Sequence, residues 1–589
     1  MILQALTSLY EALAPKGEVP KEGWSPERIS FALGIDENGD LLRITPLFKP
    51  GDMPKEKKKE EPQEMTVPAA VKRTSGAAAN FLWDNSSYIL GVSLKKGEDD
   101  AEREKRRNKD IKCFEACREL HHSMLDGMEY PAAKAVLNFL DKWEPQKAEE
   151  NNLVAQYAKE ILSGANMVFR FNGGYVHDDP QLASVWQKAN AKQKDNIGQC
   201  LVTGALDEIQ NTHPAIKGVQ GAQSSGAALV SFNAFAFCSY NKEQNQNAPV
   251  GKYAAFAYTA ALNHLLKDRK NVHRIGDAAV VCWAENADKQ YEDFAADLFF
   301  GDGDGDQSDE QRLSALQASV ELLAKGLPCR ELDLDPERKF YILGISPNAA
   351  RLAVRFFYCD SFGNIVKNIK AHYDRLEIVR PSYDKYPMLP LWKLLSATVN
   401  PSAKDKTPNP AMAGAVARAV FSGGRYPASL LECTFLRIRA EREITRERAA
   451  IIKAYYLRNP NEKCPKEELT VSLNETSKNV PYTLGRLFSV YEEIQQAANP
   501  GINTTIKDKY FGSAATMPAT VFPILSNLAQ KHLRKLSDAQ RVYLDKKVMT
   551  LKSVLGEQYP AHMSLPEQGS FDLGYYHQTQ ARYTKKEDK

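Results

Sequence analysis

Residues 340–358 read FYILGISPNAARLAVRFFY and contain two short apolar runs, 340–345 and 352–358. Apolar runs of this length, too short for an ordinary helix, are typical of buried strands. The run 278–284, AAVVCWA, has the same character. We therefore predict three buried strands in this part of the chain.

More strands are expected closer to the N-terminus. Two of them flank an Asn38-Gly39 pair, which is a strong signal for a hairpin turn. The charged, proline-bearing run 49–66 has almost no apolar residues, so we expect a mobile loop there. The predicted strands of this region are 30–35, 41–46, 167–171 and 200–203.

After about Pro381 the pattern changes to long helices. The predicted helices are 389–399, 411–421, 427–457, 482–498, 521–536 and 538–554. The predicted fold class is therefore α+β, with a mixed α/β N-terminal part followed by an all-helical C-terminal part that ends in a small helical bundle. The corresponding domains are 1–380, a helical connector over 381–470, and the bundle over 471–589.

Composition is typical of a globular protein, with 43% hydrophobic and 26% charged residues. The nine cysteines are odd in number and scattered, which suits reduced thiols in a cytoplasm. No apolar run approaches the roughly 20 residues of a membrane span. We expect a cytoplasmic protein with no membrane partner.

Motifs for common enzyme chemistry are absent. Gly221 and Gly226 have the spacing of a phosphate-binding loop, but Ala227 and Ala228 stand where a lysine and a hydroxyl residue are required. HExxH, GxSxG and the zinc deaminase signature do not occur. We expect no catalytic residues, no metal and no cofactor.

The run 217–250 is rich in residues that hydrogen-bond without ionising. Glycines at 218, 221 and 226 allow close backbone approach to a ligand, and amide or hydroxyl side chains can contact base edges or phosphates. An ordinary Gly/Ser-rich turn explains the composition equally well. The candidate ligand-binding residues are Lys217, Gln220, Gln223, Ser224 and Ser225.

A second candidate is the run 71–91, VKRTSGAAANFLWDNSSYILG. Its basic residues could contact phosphates, its asparagines a base edge, and its tryptophan could stack or wedge between bases. The alternative is a strand and turn around a buried aromatic cluster. The candidate residues are Lys72, Arg73, Ser75, Asn80, Trp83 and Asn85.

Two basic helical segments could follow a nucleic-acid backbone. In the first, arginines are spaced so as to lie on one face of the predicted helix 427–457, although interleaved glutamates fit a salt-bridged surface helix equally well. The second lies in the tail 471–589, which has fifteen Lys and Arg against eleven Asp and Glu. The candidate residues are Arg439, Arg442, Arg446, Lys531, Arg534, Lys535, Arg541, Lys546 and Lys547.

In several segments, and in the same order, the sequence resembles the large subunit of the type I-C CRISPR Cascade, a crRNA-guided DNA surveillance complex. These segments span nearly the whole chain: 1–13, 71–91, 213–240, 247–266, 275–285, 341–357 and 471–495. The resemblance implies a non-catalytic protein that recognises the protospacer-adjacent motif (PAM) in double-stranded DNA. It also implies a role in opening the duplex to form the R-loop, with sequence specificity left to the guide.

The resemblance further implies a set of partners. These are the crRNA, the target double-stranded DNA and its displaced strand, the crRNA-handle-binding, backbone and small subunits of Cascade, and the CRISPR helicase-nuclease. In the families it resembles, the C-terminal segment is also made separately as a small subunit from an internal start. Val471 opens the matching segment 471–589 here, and whether a start at Val471 is used stays open. Two alternatives remain at this stage, a guide-processing nuclease and a scaffold that binds only protein.

Overall fold

A computed structural model describes residues 1–49, 61–71, 73, 76–95, 97–192, 196–268, 271–300, 310–384, 386–556 and 558–583. By their internal contacts the residues group into two compact units. The N-terminal unit contains 13–212 and 232–261, and the C-terminal unit contains 1–12, 213–231 and 262–589. Within the described part of the chain, no helix has both the length and the apolar character needed to cross a bilayer.

The strands are β1 Trp24–Ile29, β2 Phe31–Ile35, β3 Leu41–Pro46, β4 Phe48–Lys49, β5 Glu61–Pro68, β6 Trp83–Asn85, β7 Asn166–Phe171, β8 Gly174–Tyr175, β9 Ile197–Gln199, β10 Leu206–Glu208, β11 His273–Ile275, β12 Ala278–Ala284, β13 Lys339–Asn348 and β14 Arg351–Ser361.

The helices of the first half are α1 Ile2–Leu13, α2 Ser86–Ile89, α3 Asp100–Leu125, α4 Pro131–Lys142, α5 Asn152–Ala155, α6 Ala158–Ile161, α7 Pro180–Lys192, α8 Lys252–Lys267 and α9 Lys289–Ala295. Those of the second half are α10 Glu310–Ala324, α11 Phe362–Leu376, α12 Leu391–Ser396, α13 Pro410–Ser422, α14 Ala428–Glu441, α15 Arg446–Arg458, α16 Val480–Ala498, α17 Ile506–Thr516, α18 Pro518–Leu533, α19 Asp538–Val554 and α20 Leu565–Gln580.

The N-terminal unit is built on a mixed sheet with the strand order β3-β2-β7-β6, in which β2 and β7 are parallel. Phe31, Phe139 and Phe169 are buried at its centre. The β2–β3 turn contains Gly39 at φ +82°, and a Cβ there would lie 2.2 Å from the backbone nitrogen of Phe139. Only glycine therefore allows this turn to rest against α4. A smaller sheet has the order β1-β5-β4.

The C-terminal unit begins with an antiparallel sheet of order β11-β12-β13-β14. Phe340, Phe356 and Phe362 are buried where α9, α11 and α13 cover this sheet. The same apolar core continues without a break into the later helices. Residues 381–470 and 471–589 therefore share one core with the sheet.

Among the described residues, the most extensive contact between two helices is that of α16 with α20, which pack over most of their length. A Cβ on Gly574 of α20 would lie 2.1 Å from the carbonyl oxygen of Tyr482, so the two helix backbones touch. Tyr482 also contacts α20 through its hydroxyl, which lies 2.9 Å from Nδ1 of His577. Small residues at the contact allow this close approach.

The predicted fold class is confirmed: sheets and helices alternate in the N-terminal half, and α11–α20 follow as a run of helices. The strands 41–46 and 278–284 and the helix 538–554 have the predicted bounds. The domain borders at 380 and 470 stay predictions.

Three local predictions of secondary structure are wrong, and two helices beyond Pro381 were not predicted. The end of the predicted mobile loop, 61–66, belongs to the strand Glu61–Pro68, because backbone hydrogen bonds to β1 need no apolar side chains. Residues 50–60 of that loop lie outside the described residues. Residues 200–203 form the turn between β9 and β10, not a strand.

The predicted helix 427–457 is two helices, because Arg442 has φ +57° and Thr445 begins α15 as its N-cap. The helices α17 and α20 were not predicted. In α20 every residue from 568 to 578 is buried, polar residues included, so the sequence does not divide into an apolar face and a polar face as in a surface helix.

Candidate nucleic-acid interface

Residues 217–226 form a ten-residue loop, here called the glycine loop. Its ends are joined by two backbone hydrogen bonds, from Ile216 N to Ala227 O and from Ala227 N to Ile216 O, both 2.9 Å. Ala228 then bonds to the start of β14, accepting from Leu352 N at 2.9 Å. The loop is thus fixed to the edge of the four-stranded sheet.

Two glycines set the path of the glycine loop. Gly226 has φ +96°, and a Cβ there would lie 2.9 Å from the carbonyl oxygen of Ile216. Gly221 has φ +85°, and its Cβ would lie 3.2 Å from the ring of Pro347 near the β13–β14 turn. A larger residue at either position would strain the backbone and push the loop away from its support.

The side chains of the glycine loop divide into buried and exposed sets. Val219 is buried and anchors the loop, and the backbone nitrogen of Lys217 donates to Asn263 Oδ1 at 2.8 Å. The exposed residues are Lys217, Gln220, Gln223, Ser224 and Ser225. The loop therefore presents its predicted ligand-binding side chains to solvent on a fixed backbone.

Arg274 is a residue of this site that the sequence did not indicate. It lies exposed on β11, and its Nη1 donates to Oε1 of Gln220 at 3.1 Å. Its Nε donates to Gly276 O at 3.1 Å. The two partners are 54 positions apart in the chain, and no local pattern connects them. Their proximity depends on the sheet that supports both.

The second candidate segment is organised around a buried carboxylate, Asp84. Arg73 Nη2 donates to Asp84 Oδ2, and the guanidinium of Arg73 lies 3.9 Å above the ring of Tyr88. The backbone nitrogen of Asn80 donates to the same carboxylate oxygen at 2.9 Å. Burial raises the pKa of Asp84, although Arg73 and the backbone donors act in the opposite direction. Arg73 is thus tied to the fold of its own segment.

The other candidate side chains of this segment also have partners within the fold. Asn80 Oδ1 accepts from Val71 N at 2.9 Å, and Trp83 Nε1 donates to Pro68 O at 2.7 Å. Asn85 Oδ1 accepts from Ser87 N at 3.0 Å and caps α2. These three side chains stabilise the segment. Lys72 and Ser75 lie outside the described residues.

His121 supports the same segment from α3. Its Nε2 accepts from Leu82 N at 2.9 Å, so its Nδ1 carries the proton and donates to Cys117 O at 2.7 Å. Burial lowers the pKa of His121 to about 4. The neutral ring therefore holds Leu82 in its left-handed conformation, φ +64°.

The amide cluster 241–247 stabilises its own loop. Asn247 Oδ1 accepts from Ser239 N at 2.9 Å, and Asn247 Nδ2 donates to Gln244 O at 2.9 Å. Phe235 and Tyr240 in the same loop are 94% and 95% exposed. In this part of the run 217–250, two aromatic side chains face the solvent, and the Asn247 amide is turned inward.

The three arginines predicted to share one helix face are separated by the break between α14 and α15, so that prediction is wrong. Arg439 is exposed and donates to Gln568 Oε1 at 2.8 Å, and Arg442 is exposed at the break. Arg446 is buried, and its guanidinium donates to Asp384 Oδ2 and Pro387 O, both at 2.9 Å. Arg446 thus contributes to the core of the unit and not to its surface.

The basic residues of the tail lie on α18, α19 and the turn between them. Two of the six are in ion pairs: Arg541 with Asp538 at 2.8 Å, and Lys547 with Glu493 at 3.4 Å. The exposed basic residues closest to the turn are Lys531, Arg534 and Lys535. This group of three, here called the tail basic cluster, is the densest part of the predicted track.

Within the described ranges, no group of three or more His, Cys, Asp and Glu side chains is arranged to hold a metal ion. A protein-family model described as "CRISPR-associated protein (Cas_Csd1)" matches residues 6–583. No curated protein matches the chain.

Proposed function

The chain belongs to the Cas_Csd1 family of type I-C Cascade large subunits, and we propose that it recognises the PAM in double-stranded DNA through the glycine loop. The supporting observation is that Gln220, Gln223, Ser224 and Ser225 are all exposed on a loop whose backbone is fixed at both ends. A fixed backbone that presents amides and hydroxyls suits the reading of base edges.

The segment 71–85 is a weaker candidate for base contact. Arg73, Asn80, Trp83 and Asn85 all have partners inside the protein, so a base contact would leave a buried group unpaired. We propose that this segment stabilises the fold of its own unit and that Lys72 is its candidate phosphate contact.

The Cas_Csd1 family is generally a non-catalytic part of Cascade, and we propose the same of this chain. Its partners are then the crRNA, the target duplex and its displaced strand, the other Cascade subunits and the CRISPR helicase-nuclease. We further propose that the tail basic cluster contacts the backbone of one DNA strand during duplex opening. In this proposal 471–589 also serves as a small-subunit-like bundle.

The test uses Cascade reconstituted with this chain and a guide RNA. We compare its binding to duplexes that have each of the four bases at every position flanking the target. The triple variant Gln223→Ala, Ser224→Ala, Ser225→Ala is expected to discriminate poorly between flanking bases. The difference in binding free energy between the best base and the others should fall by roughly 1–3 kcal/mol for each base contact that is lost. Gln317→Ala, which removes an exposed glutamine from α10, serves as the control.

Three outcomes separate the alternatives. Unchanged discrimination in the triple variant would refute the assignment of the glycine loop. A complex whose duplex binding does not depend on this chain at all would favour a scaffold that binds only protein. Cleavage of guide precursor by the purified chain, abolished by a point substitution within it, would favour the nuclease.

A further inference from the structure

The contact between Arg274 and Gln220 limits what Gln220 can offer a ligand. A guanidinium has only hydrogen-bond donors, so the atom of the Gln220 amide that faces it must be the oxygen. The amide nitrogen, with its two N–H groups, is then the end left to face a ligand. The orientation of this side chain follows from the chemistry of its partner.

We propose that Arg274 is a positioning residue that makes Gln220 a hydrogen-bond donor toward the base edge it reads. This inference rests on the proposed role of the glycine loop. In the major groove guanine, adenine and thymine all offer an acceptor, whereas cytosine offers the donor N4–H₂. Gln220 therefore disfavours cytosine at the position it contacts. Bidentate pairing with adenine is weakened, because one of the two lone pairs of Oε1 already accepts from Arg274.

The position of Arg274 is well defined. Its neighbours in β11 pair with β12, with His273 opposite Val280 and Ile275 opposite Ala278. The Nε bond to Gly276 O restricts the guanidinium further. Because the glycine loop and β11 belong to the same unit, the Arg274–Gln220 contact is formed within one compact body. It is therefore present before any ligand binds.

Gln220→Glu provides the sharpest test. Glutamate has the same shape and keeps an oxygen toward Arg274, but its other terminal atom is an acceptor in place of the N–H donors. Reconstituted Cascade with wild-type chain is expected to bind cytosine at one flanking position about 5- to 150-fold more weakly than the best base, which corresponds to roughly 1–3 kcal/mol. Gln220→Glu is expected to remove or reverse that preference at the same position.

Arg274→Ala separates positioning from direct contact. The substitution lets the Gln220 amide rotate, so the difference in affinity between bases should become smaller at the position that Gln220→Ala affects. The double variant should discriminate between bases no worse than Gln220→Ala alone. A phosphate contact by Arg274 would instead weaken binding to every duplex and lower the salt dependence. That result, or an unchanged base preference in Gln220→Glu, would overturn the positioning role.

The outcomes also separate this inference from the proposed function. If the Gln223, Ser224 and Ser225 variants lose discrimination while those at Gln220 and Arg274 keep it, the glycine loop reads DNA but the positioning role is wrong. If none of these variants changes discrimination, the proposed function of the loop fails as well. Arg274→Lys keeps the positive charge but loses the planar guanidinium. If it keeps the full base preference of the wild type, a positive charge at this position is enough to orient the Gln220 amide.

Discussion

A Cβ on Gly485 of α16 would lie 1.9 Å from the carbonyl oxygen of Phe571 of α20. The two helices therefore meet backbone to backbone, in the middle of a core that includes Phe488 and Phe511. Since the carbonyl belongs to a helix backbone, it cannot move aside as a flexible side chain could. The helices themselves must separate to admit a methyl group.

The first prediction concerns this contact. Gly485→Ala is expected to destabilise the chain by about 3 kcal/mol, because overpacking a close backbone contact outweighs the better helix propensity of alanine. Chemical denaturation of the full chain measures this. Gly512→Ala on α17 is the matched control, since nothing lies within 4 Å of its added Cβ. It should stabilise slightly, and a neutral Gly485→Ala would contradict the packing described.

The second prediction is a pH dependence at His121. Its pKa is about 4 in the folded protein and 6.5 ordinarily, so the unfolded chain binds the proton first as the pH falls. The contribution of neutral His121 to the free energy of unfolding is therefore fully present above pH 6.5. About 3 kcal/mol of it is lost as the pH falls toward 4.

Hydrogen exchange of residues 79–85, compared between wild type and His121→Gln, measures this dependence. The wild type should protect residues 79–85 from exchange better than His121→Gln does, and this difference in protection should shrink as the pH falls from 6.5 to 4. His122→Gln is the control on the neighbouring residue. Hydrogen bonds to Asp126 and Asp141 raise the pKa of His122, so its contribution fades as the pH rises instead. An advantage of His121 that is constant with pH would contradict the prediction.

The third prediction concerns the tail basic cluster. Replacing Lys531, Arg534 and Lys535 with glutamine should weaken Cascade binding to target DNA equally for all PAM sequences. It should also lower the salt slope by up to about two to three units, because each phosphate contact releases a counterion. The control is a second triple variant in which the exposed Lys325, Lys339 and Lys466 are replaced with glutamine, so that the same amount of charge is removed elsewhere in the unit. Equal effects of the two triple variants would rule out a specific track.

The fourth prediction concerns 471–589 produced alone. The segment has its own aromatic cluster of Phe488, Phe511 and Phe571, which predicts cooperative unfolding of a helical bundle. In the whole chain, α20 also contacts residues before 471: Tyr576 Oη donates to Val379 O at 2.8 Å. In the isolated fragment this face of α20 is exposed to solvent, so the fragment should unfold at a lower denaturant concentration than the full chain.

Phe488→Ala in the fragment should cost about 3–5 kcal/mol and abolish cooperativity. Circular dichroism during urea titration measures both effects. A fragment without a cooperative transition would show that the tail depends on residues before 471 to fold.

Local pattern was sufficient for much of the fold. The strand 278–284 and the helix 538–554 were predicted with their observed bounds, since apolar runs and amphipathic periodicity are properties of adjacent residues. The helix α20 was missed because it is buried on all sides, and the α14–α15 break was missed because Arg442 adopts a conformation usual for glycine.

The candidate site was predictable in part. Small residues among amides identified the glycine loop as a segment that could present side chains to a ligand. Arg274 could not be found this way, because its contact with Gln220 depends on the path of the chain through the sheet. The same limit applied to Arg446, since the sequence does not indicate that Asp384, 62 positions away, binds it.

The division of the chain has a consequence for exchanging parts between relatives. The backbone passes from one unit to the other after Ala12, Thr212, Ser231 and Ala261. A recombination event with one crossover cannot transfer either unit intact. The glycine loop, however, lies in the continuous stretch 213–231, together with both ends of its closing bridge. If the glycine loop reads the motif as proposed, a change of motif preference could be inherited, or grafted, as a cassette of that length, provided that the recipient also offers an arginine at the position of Arg274.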